Sequence, residues 1–183
     1  MENGFQPLTP ATWHDFVQLF GAHGAYGGCW CMFWRQTRQD FSQNCGERNK
    51  IAMKALVDGG VIPGIIAYQG DKAVGWVSIA PREDYSSLER SRTLKRIDNQ
   101  PVWSIVCFYA PKNQRGNLME RLLNYAIAYA QAKGTKIIEA YPSISKLLVQ
   151  PVDLYMGSLN TFLAAGFEEQ GSAGSKVIVR KFL

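Results

Sequence analysis

The run VWSIVCFYAPKNQRGNLMERLLNYAIAYAQAKG, residues 102–134, constrains the chain more than any other feature. Val102 to Ala110 is a continuous stretch of mostly β-branched and aromatic residues, which reads as a buried strand. A short polar loop follows, carrying Pro111, Lys112, Gln114, Arg115 and Gly116. An amphipathic helix over about 117–132 leaves the loop and ends at Gly134. A strand, a loop and a helix in direct succession aim backbone N–H groups and the positive end of a helix dipole at one point, which suits a phosphate. The loop has neither the Gly-Lys-Ser/Thr of a Walker motif nor the triple glycine of a dinucleotide fold, which sets those two readings aside.

The rest of the chain supplies elements around this unit. Phe5 to Leu8 reads as a short first strand, and Thr9-Pro10 as the start of a helix carrying Trp13, Phe16, Val17 and Phe20 at helical spacing. A glycine-rich break at 21–28 leads into the aromatic segment GGCWCMFWR, and GERNKIAMKALVD reads as a second helix closed by Gly59-Gly60. Two strands in GIIAYQGDKAVGWVSIA meet at the hairpin signal Gly70-Asp71. After the helix at 117–132, Lys136 to Tyr141 forms a strand stopped by Pro142, a short helix spans 158–165, and 167–170 with 176–182 close the chain as a hairpin. A right-handed crossover makes strands 102–110 and 136–141 parallel neighbours. The expected architecture is α/β (α+β), a mixed and mainly antiparallel sheet with a central parallel pair, in the order β-α-α-β-β-β-α-β-α-β-β.

Length and composition narrow the class. A chain of 183 residues is expected to form a single domain over 1–183. It contains no run of about 18 apolar residues. Its first residues, MENGFQPLTPATWHDF, lack the basic patch and apolar core of a signal peptide, so a cytoplasmic location with no membrane partner is expected. The formal net charge of +5 comes without any zinc-finger, RNA-recognition or helix-turn-helix signature, and no nucleic-acid partner is expected. Four cysteines, at 29, 31, 45 and 107, are too few for a disulfide framework in a chain of this size. Cys29 and Cys31 have C-x-C spacing with no second pair, and His14 and His23 lie upstream without motif spacing; no metal site is expected.

The order of elements, the loop at 114–119, the FLAAGFEE segment with Gly166-Phe167, and the segments GGCWCMFWR and GWVSIAPREDY resemble the GNAT superfamily of N-acetyltransferases, and the likeness covers nearly the whole chain. In that family the loop pattern is Gln/Arg-x-x-Gly-x-Gly/Ala. Here it falls on Gln114, Arg115, Gly116, Asn117, Leu118 and Met119, so asparagine stands in place of the family glycine and methionine in place of the final small residue. Asparagine tolerates left-handed backbone angles, which would keep the loop usable.

The resemblance implies acetyl-CoA as co-substrate, its pyrophosphate held by residues 114–119. It also implies pantetheine bound along the backbone of Cys107, Phe108 and Tyr109, where an N–H would serve as oxyanion donor. The implied reaction is direct attack by a primary amine of a small molecule or protein on the acetyl thioester, with a homodimer as a frequent assembly. The family tyrosine four residues before the glycine of Gly-Phe is Phe162 here, which cannot donate a proton, and the family asparagine seven residues earlier is Tyr155. Tyr155 is therefore the candidate acid, with Tyr141 as runner-up, and Glu139, an acid inside an apolar strand, is the candidate base. A non-catalytic GNAT-fold module that binds a CoA thioester or another small ligand is the alternative. Trp30, Met32, Phe33 and Trp34 are read either as core or as the wall of an acceptor site.

Overall fold

The computed structural model describes residues 4–114, 117–143 and 155–183. Its centre is the expected crossover: strand β4 (Trp103–Tyr109), helix α5 (Leu118–Ala132) and strand β5 (Ile137–Ala140), with β4 and β5 parallel. The hairpin signal Gly70-Asp71 joins β2 (Gly64–Gln69) to β3 (Lys72–Pro81), and β1 (Phe5–Pro7) pairs with the outer side of β2. On the other flank, β6 (Glu168–Ala173) and β7 (Lys176–Phe182) form the closing hairpin. Among the described residues these strands make one seven-stranded sheet in the order β1-β2-β3-β4-β5-β7-β6, antiparallel everywhere except at β4/β5.

Helices cover both faces. Helix α5 lays Leu118, Leu122, Leu123, Ala126, Ile127 and Ala130 on one face, the helical spacing that the sequence shows. Burying each leucine contributes about 1.5–3 kcal/mol. Gly75 on β3 permits the close approach, since a Cβ there would sit 2.9 Å from Leu118 Cδ2 and 3.0 Å from Leu122 Cδ1. The opposite face carries α1 (Trp13–Phe20) and α3 (Glu47–Asp58), whose Phe16, Phe20, Met53 and Val57 pack with Trp30, Met32 and Trp76.

One helix has no counterpart in the sequence reading, and another falls in the charged stretch 82–96, where the sequence suggests a short helix from about Tyr85 to Thr93. Helix α2 (Arg38–Asn44) is capped by Thr37, whose hydroxyl accepts from the Asp40 N–H at 3.1 Å. Helix α4 (Ser86–Glu89) is a single turn after β3. The remaining helix, α6 (Leu159–Ala164), starts at Ser158, whose hydroxyl accepts from the Thr161 N–H.

Candidate active site

The sheet divides between β4 and β5, and its cause is visible residue by residue. The parallel ladder comprises Trp103/Ile138, Ser104/Glu139 and Ile105/Ala140, and goes no further. Pro142 follows β5 and brings no N–H for a ladder. Its carbonyl instead accepts from the Val177 N–H at 3.0 Å, which carries the chain along β7 and away from β4. On its other side, β4 stays on β3, but with a bulge: Ser78 faces Cys107 while Ile79 faces Ile105, so Val106 is the extra residue. The second half of β4 thus has a ladder partner on β3 and none on β5.

A cavity of about 910 Å³ lies against the end of β4 that has no β5 partner. The second half of β4 lines it through Cys107, Phe108 and Tyr109. Phe33 and Cys31 close one side, and Met119 of α5 with Phe162 of α6 close the other. Among the described residues, no Asp, Glu, Lys, Arg or His lines the cavity. Its polar groups are tyrosine, serine and threonine hydroxyls, backbone and thiols.

The residues singled out from the sequence divide into three groups. Cys107, Phe108, Tyr109, Met119 and Tyr155 meet at the cavity. Tyr155 is half-buried there, with its ring 6.5 Å from Phe33 in an edge contact and Lys176 Nζ 5.6 Å from its centre. Gln114 ends a 3-10 turn, Lys112–Gln114, and its N–H already donates to the Pro111 carbonyl at 2.9 Å. Asn117 is the exposed N-cap of α5 at φ −78°, so its tolerance of left-handed angles is not used. Leu118 is turned into the core against Gly75. Arg115 and Gly116 lie outside the described residues.

Glu139 and Tyr141 correct the sequence reading. Both are fully buried, yet neither lines the cavity. Glu139 takes hydrogen bonds from Arg82 Nη1, from Arg180 Nε at 2.8 Å and from the Tyr141 hydroxyl at 2.6 Å. Tyr141 also contacts Ser104 Oγ at 2.8 Å and accepts from Arg82 Nη1 at 2.8 Å. Burial pushes the Tyr141 phenol well up, with the neighbouring Glu139 charge acting the same way. A carboxylate held between two guanidiniums is a closed ion-pair cluster rather than an exposed base.

Sequence reasoning missed a convergence of thiols. Cys29, Cys31 and Cys107 all line the cavity, and all are free thiols. Trp76 Nε1 donates to Cys31 Sγ at 3.2 Å, and the Cys107 thiol donates to the Phe108 carbonyl at 3.7 Å. The neighbouring Cys107 thiol, opposed by burial and helped by Trp76, holds the Cys31 thiol below its ordinary value. Burial raises Cys29 to about 11, while the neighbouring Cys31 followed by burial raises Cys107 well above its usual range. C-x-C spacing alone carried no sign that β4 would deliver a third thiol. Among the described residues, no group of three or more His, Cys, Asp or Glu is placed to hold a metal ion.

The model of the acetyltransferase (GNAT) family matches residues 28–145, more than half of the chain. The chain belongs to the GNAT acetyltransferase family. Solved structures agree in fold. The PaiA N-acetyltransferase of Thermoplasma acidophilum, solved in complex with coenzyme A, has a TM-score of 0.56 at 13% identity, over 100% of both chains. A GNAT-family acetyltransferase of Listeria monocytogenes reaches 0.59 at 12% identity, over 100% of this chain and 96% of that one. The ribosomal-protein-alanine N-acetyltransferase of Brucella melitensis reaches 0.55 at 17%, over 98% and 99%. At these identities the likeness is one of fold. Compared by sequence with curated proteins, the chain matches none. Among the described residues, no helix of this GNAT protein is long and apolar enough to cross a membrane.

Proposed function

We propose that this GNAT protein transfers an acetyl group from acetyl-CoA to a primary amine of a small molecule or protein. One observation carries the reading: β4 loses its β5 partner after Ile105, and its second half lines the cavity beside α5. An extended pantetheine arm would complete the ladder there, bonding to the backbone of residues 107–109. Its pyrophosphate would then lie toward the loop 114–119 and the positive end of the α5 dipole. An N–H of the same β4 stretch would face the thioester carbonyl as oxyanion donor. Tyr155, at the cavity wall, is the candidate that protonates the departing CoA thiolate.

A calorimetric titration with acetyl-CoA, alongside desulfo-CoA, tests the donor site. Saturable micromolar binding is expected, followed by thiol release when amines are screened. Folded protein that binds neither ligand overturns the assignment. A second reading, a GNAT module that binds a CoA thioester without transfer, is favoured by Phe162, which is fully buried and has no hydroxyl where the family tyrosine stands. Tight acetyl-CoA binding with no thiol release for any amine would select it.

A further inference from the structure

Part of the cavity lining has no use in holding the donor. Phe20, Tyr26, Phe33 and Phe41 come from α1, α2 and the segment around them, not from β4 or α5. Trp30 and Met32 of that segment are buried in the core, but Phe33 is half-buried and borders the cavity. So does Phe41, the half-buried ring of a helix that has no fully buried residue. These rings are joined. Phe33 meets Phe41 edge-on with centres 5.3 Å apart, and meets Tyr155 edge-on at 6.5 Å. On the β4 side, Phe20 lies 5.3 Å from Tyr109. An aromatic wall thus runs from Tyr155, the candidate acid, through Phe33 to Phe41. Half-covered rings gathered on one cavity wall mark a surface that a ligand completes.

We propose that the acceptor is a small primary monoamine with an aromatic body, of the 2-phenylethylamine kind, seated on Phe33 and Phe41. The inference rests on the acetyl-CoA reading above and names the acceptor class of that same site. The neutral amine nitrogen forms its bond to the acetyl carbonyl as the carbon–sulfur bond to CoA breaks. The departing thiolate takes the Tyr155 proton, and the surplus proton on the new amide nitrogen returns to the Tyr155 phenolate. With the nitrogen held at that point, the rest of the acceptor falls on the rings that adjoin Tyr155.

Physical chemistry selects among amines at such a wall. An aromatic body gains about 25 cal/mol for each Å² of apolar surface it buries, and ring-on-ring packing adds about 0.5–1.5 kcal/mol. A second ammonium would give up its water to meet ring faces, which return about 0.5–2 kcal/mol, less than burial of a charge takes. A hydroxyl-rich sugar loses water in the same way. The wall also favours the attacking nitrogen as neutral amine, the form that reacts. A volume of about 910 Å³ stands at the upper end of small-molecule sites, which span about 300–1,000 Å³, and leaves room for the pantetheine arm together with a ring.

The test reads thiol release by the full-length protein at saturating acetyl-CoA with 2-phenylethylamine, 2-cyclohexylethylamine, spermidine, glucosamine and a short peptide with a free N-terminus. We expect kcat/KM for 2-phenylethylamine to exceed that for spermidine, glucosamine and the peptide by about 100-fold. The cyclohexyl analogue, similar in size but without a π face, should be about three- to tenfold poorer. Phe41→Ala should raise KM for 2-phenylethylamine about tenfold, with the loss carried by KM rather than kcat. Acetyl-CoA affinity by calorimetry should hold in that variant, whereas a merely structural role for Phe41 would lower it together with turnover. Preference for spermidine, glucosamine or the peptide overturns the acceptor class and spares the donor reading. An equal rate with the cyclohexyl analogue overturns the aromatic requirement. Acetyl-CoA binding without thiol release from any amine overturns the class together with transfer, and failure to bind acetyl-CoA defeats the donor reading as well. The amine series on the unmutated protein decides the matter even where Phe41→Ala does not fold.

Discussion

Arg180 on β7 donates from Nε to Glu139 on β5 across 2.8 Å, and Arg82, arriving from the end of β3, donates to the other carboxylate oxygen. The pair lies beneath the parallel half of β4/β5, with Glu139 fully buried and Arg180 2% exposed. Two guanidiniums from opposite sides of the division are thus tied to one carboxylate. The cluster holds the paired end of the sheet together next to the place where it opens.

Glu139→Ala is therefore expected to unfold the protein more easily rather than to remove a catalytic group. Leaving two buried guanidiniums without their shared partner should cost about 3–5 kcal/mol. Urea unfolding measures it. A variant as stable as the parent but with turnover abolished would return Glu139 to the mechanism.

Asp98 joins the same cluster, its carboxylate receiving Arg180 Nη1 at 2.7 Å and Nη2 at 3.1 Å. The bond from Arg180 lowers its carboxyl to about 2. A depressed folded-state value means that Asp98 stabilises the fold above its unfolded value of about 3.9. That contribution is lost as pH falls from about 4 toward 2. Thermal melts of Asp98→Asn across this window should fall less steeply with acid than those of the parent. Parallel curves would show that Arg180 does not perturb Asp98.

Tyr155→Phe separates chemistry from binding. Removing a proton donor that acts on the leaving thiolate should lower turnover by about 100-fold. Acetyl-CoA affinity by calorimetry should stay near that of the parent, since the ring remains against Phe33. Unaltered turnover removes Tyr155 from the reaction.

Gly28 anchors the loop that brings Cys29 and Cys31 to the cavity. It has φ +70°, and an added Cβ would lie 2.3 Å from the backbone nitrogen of Gly46. Its carbonyl accepts from the Gly46 N–H and from Asn49 Nδ2, each at 3.0 Å. Gly28→Ala should destabilise the protein by about 1–3 kcal/mol through backbone strain, with more from the clash. Chemical denaturation checks it; a change under half a kcal/mol would mean that the loop relaxes freely, a surface-like response.

Much of the framework was legible without coordinates. The Gly70-Asp71 hairpin, the ends of α3 and α5, the parallel crossover and the closing hairpin all follow from turn chemistry and periodicity, while the helix expected from Pro10 begins with a 3-10 turn, Pro10–Thr12, before α1. These signals act between residues a few positions apart, so the linear chain contains them. Helix α2 had its signal too, in Thr37 and Asp40, but it is short and its burial pattern shows no buried residue to give a period. Sequence likewise pointed to Cys107, Phe108, Tyr109, Met119 and Tyr155, which the fold gathers at one cavity.

What the linear chain determined by itself was the order and type of most elements, because capping, turn formation and amphipathic spacing are local. Tertiary structure alone decided three things. The bulge at Val106 and the capture of Pro142 by Val177 opened the sheet between β4 and β5. Arg82 and Arg180 closed around Glu139, turning an apparent base into an ion-pair cluster. Trp76 reached Cys31, and Cys31 and Cys107 came to line one cavity. Each depends on which distant strands pair and in which register, and a register is set by the packing of whole faces rather than by any neighbouring residue.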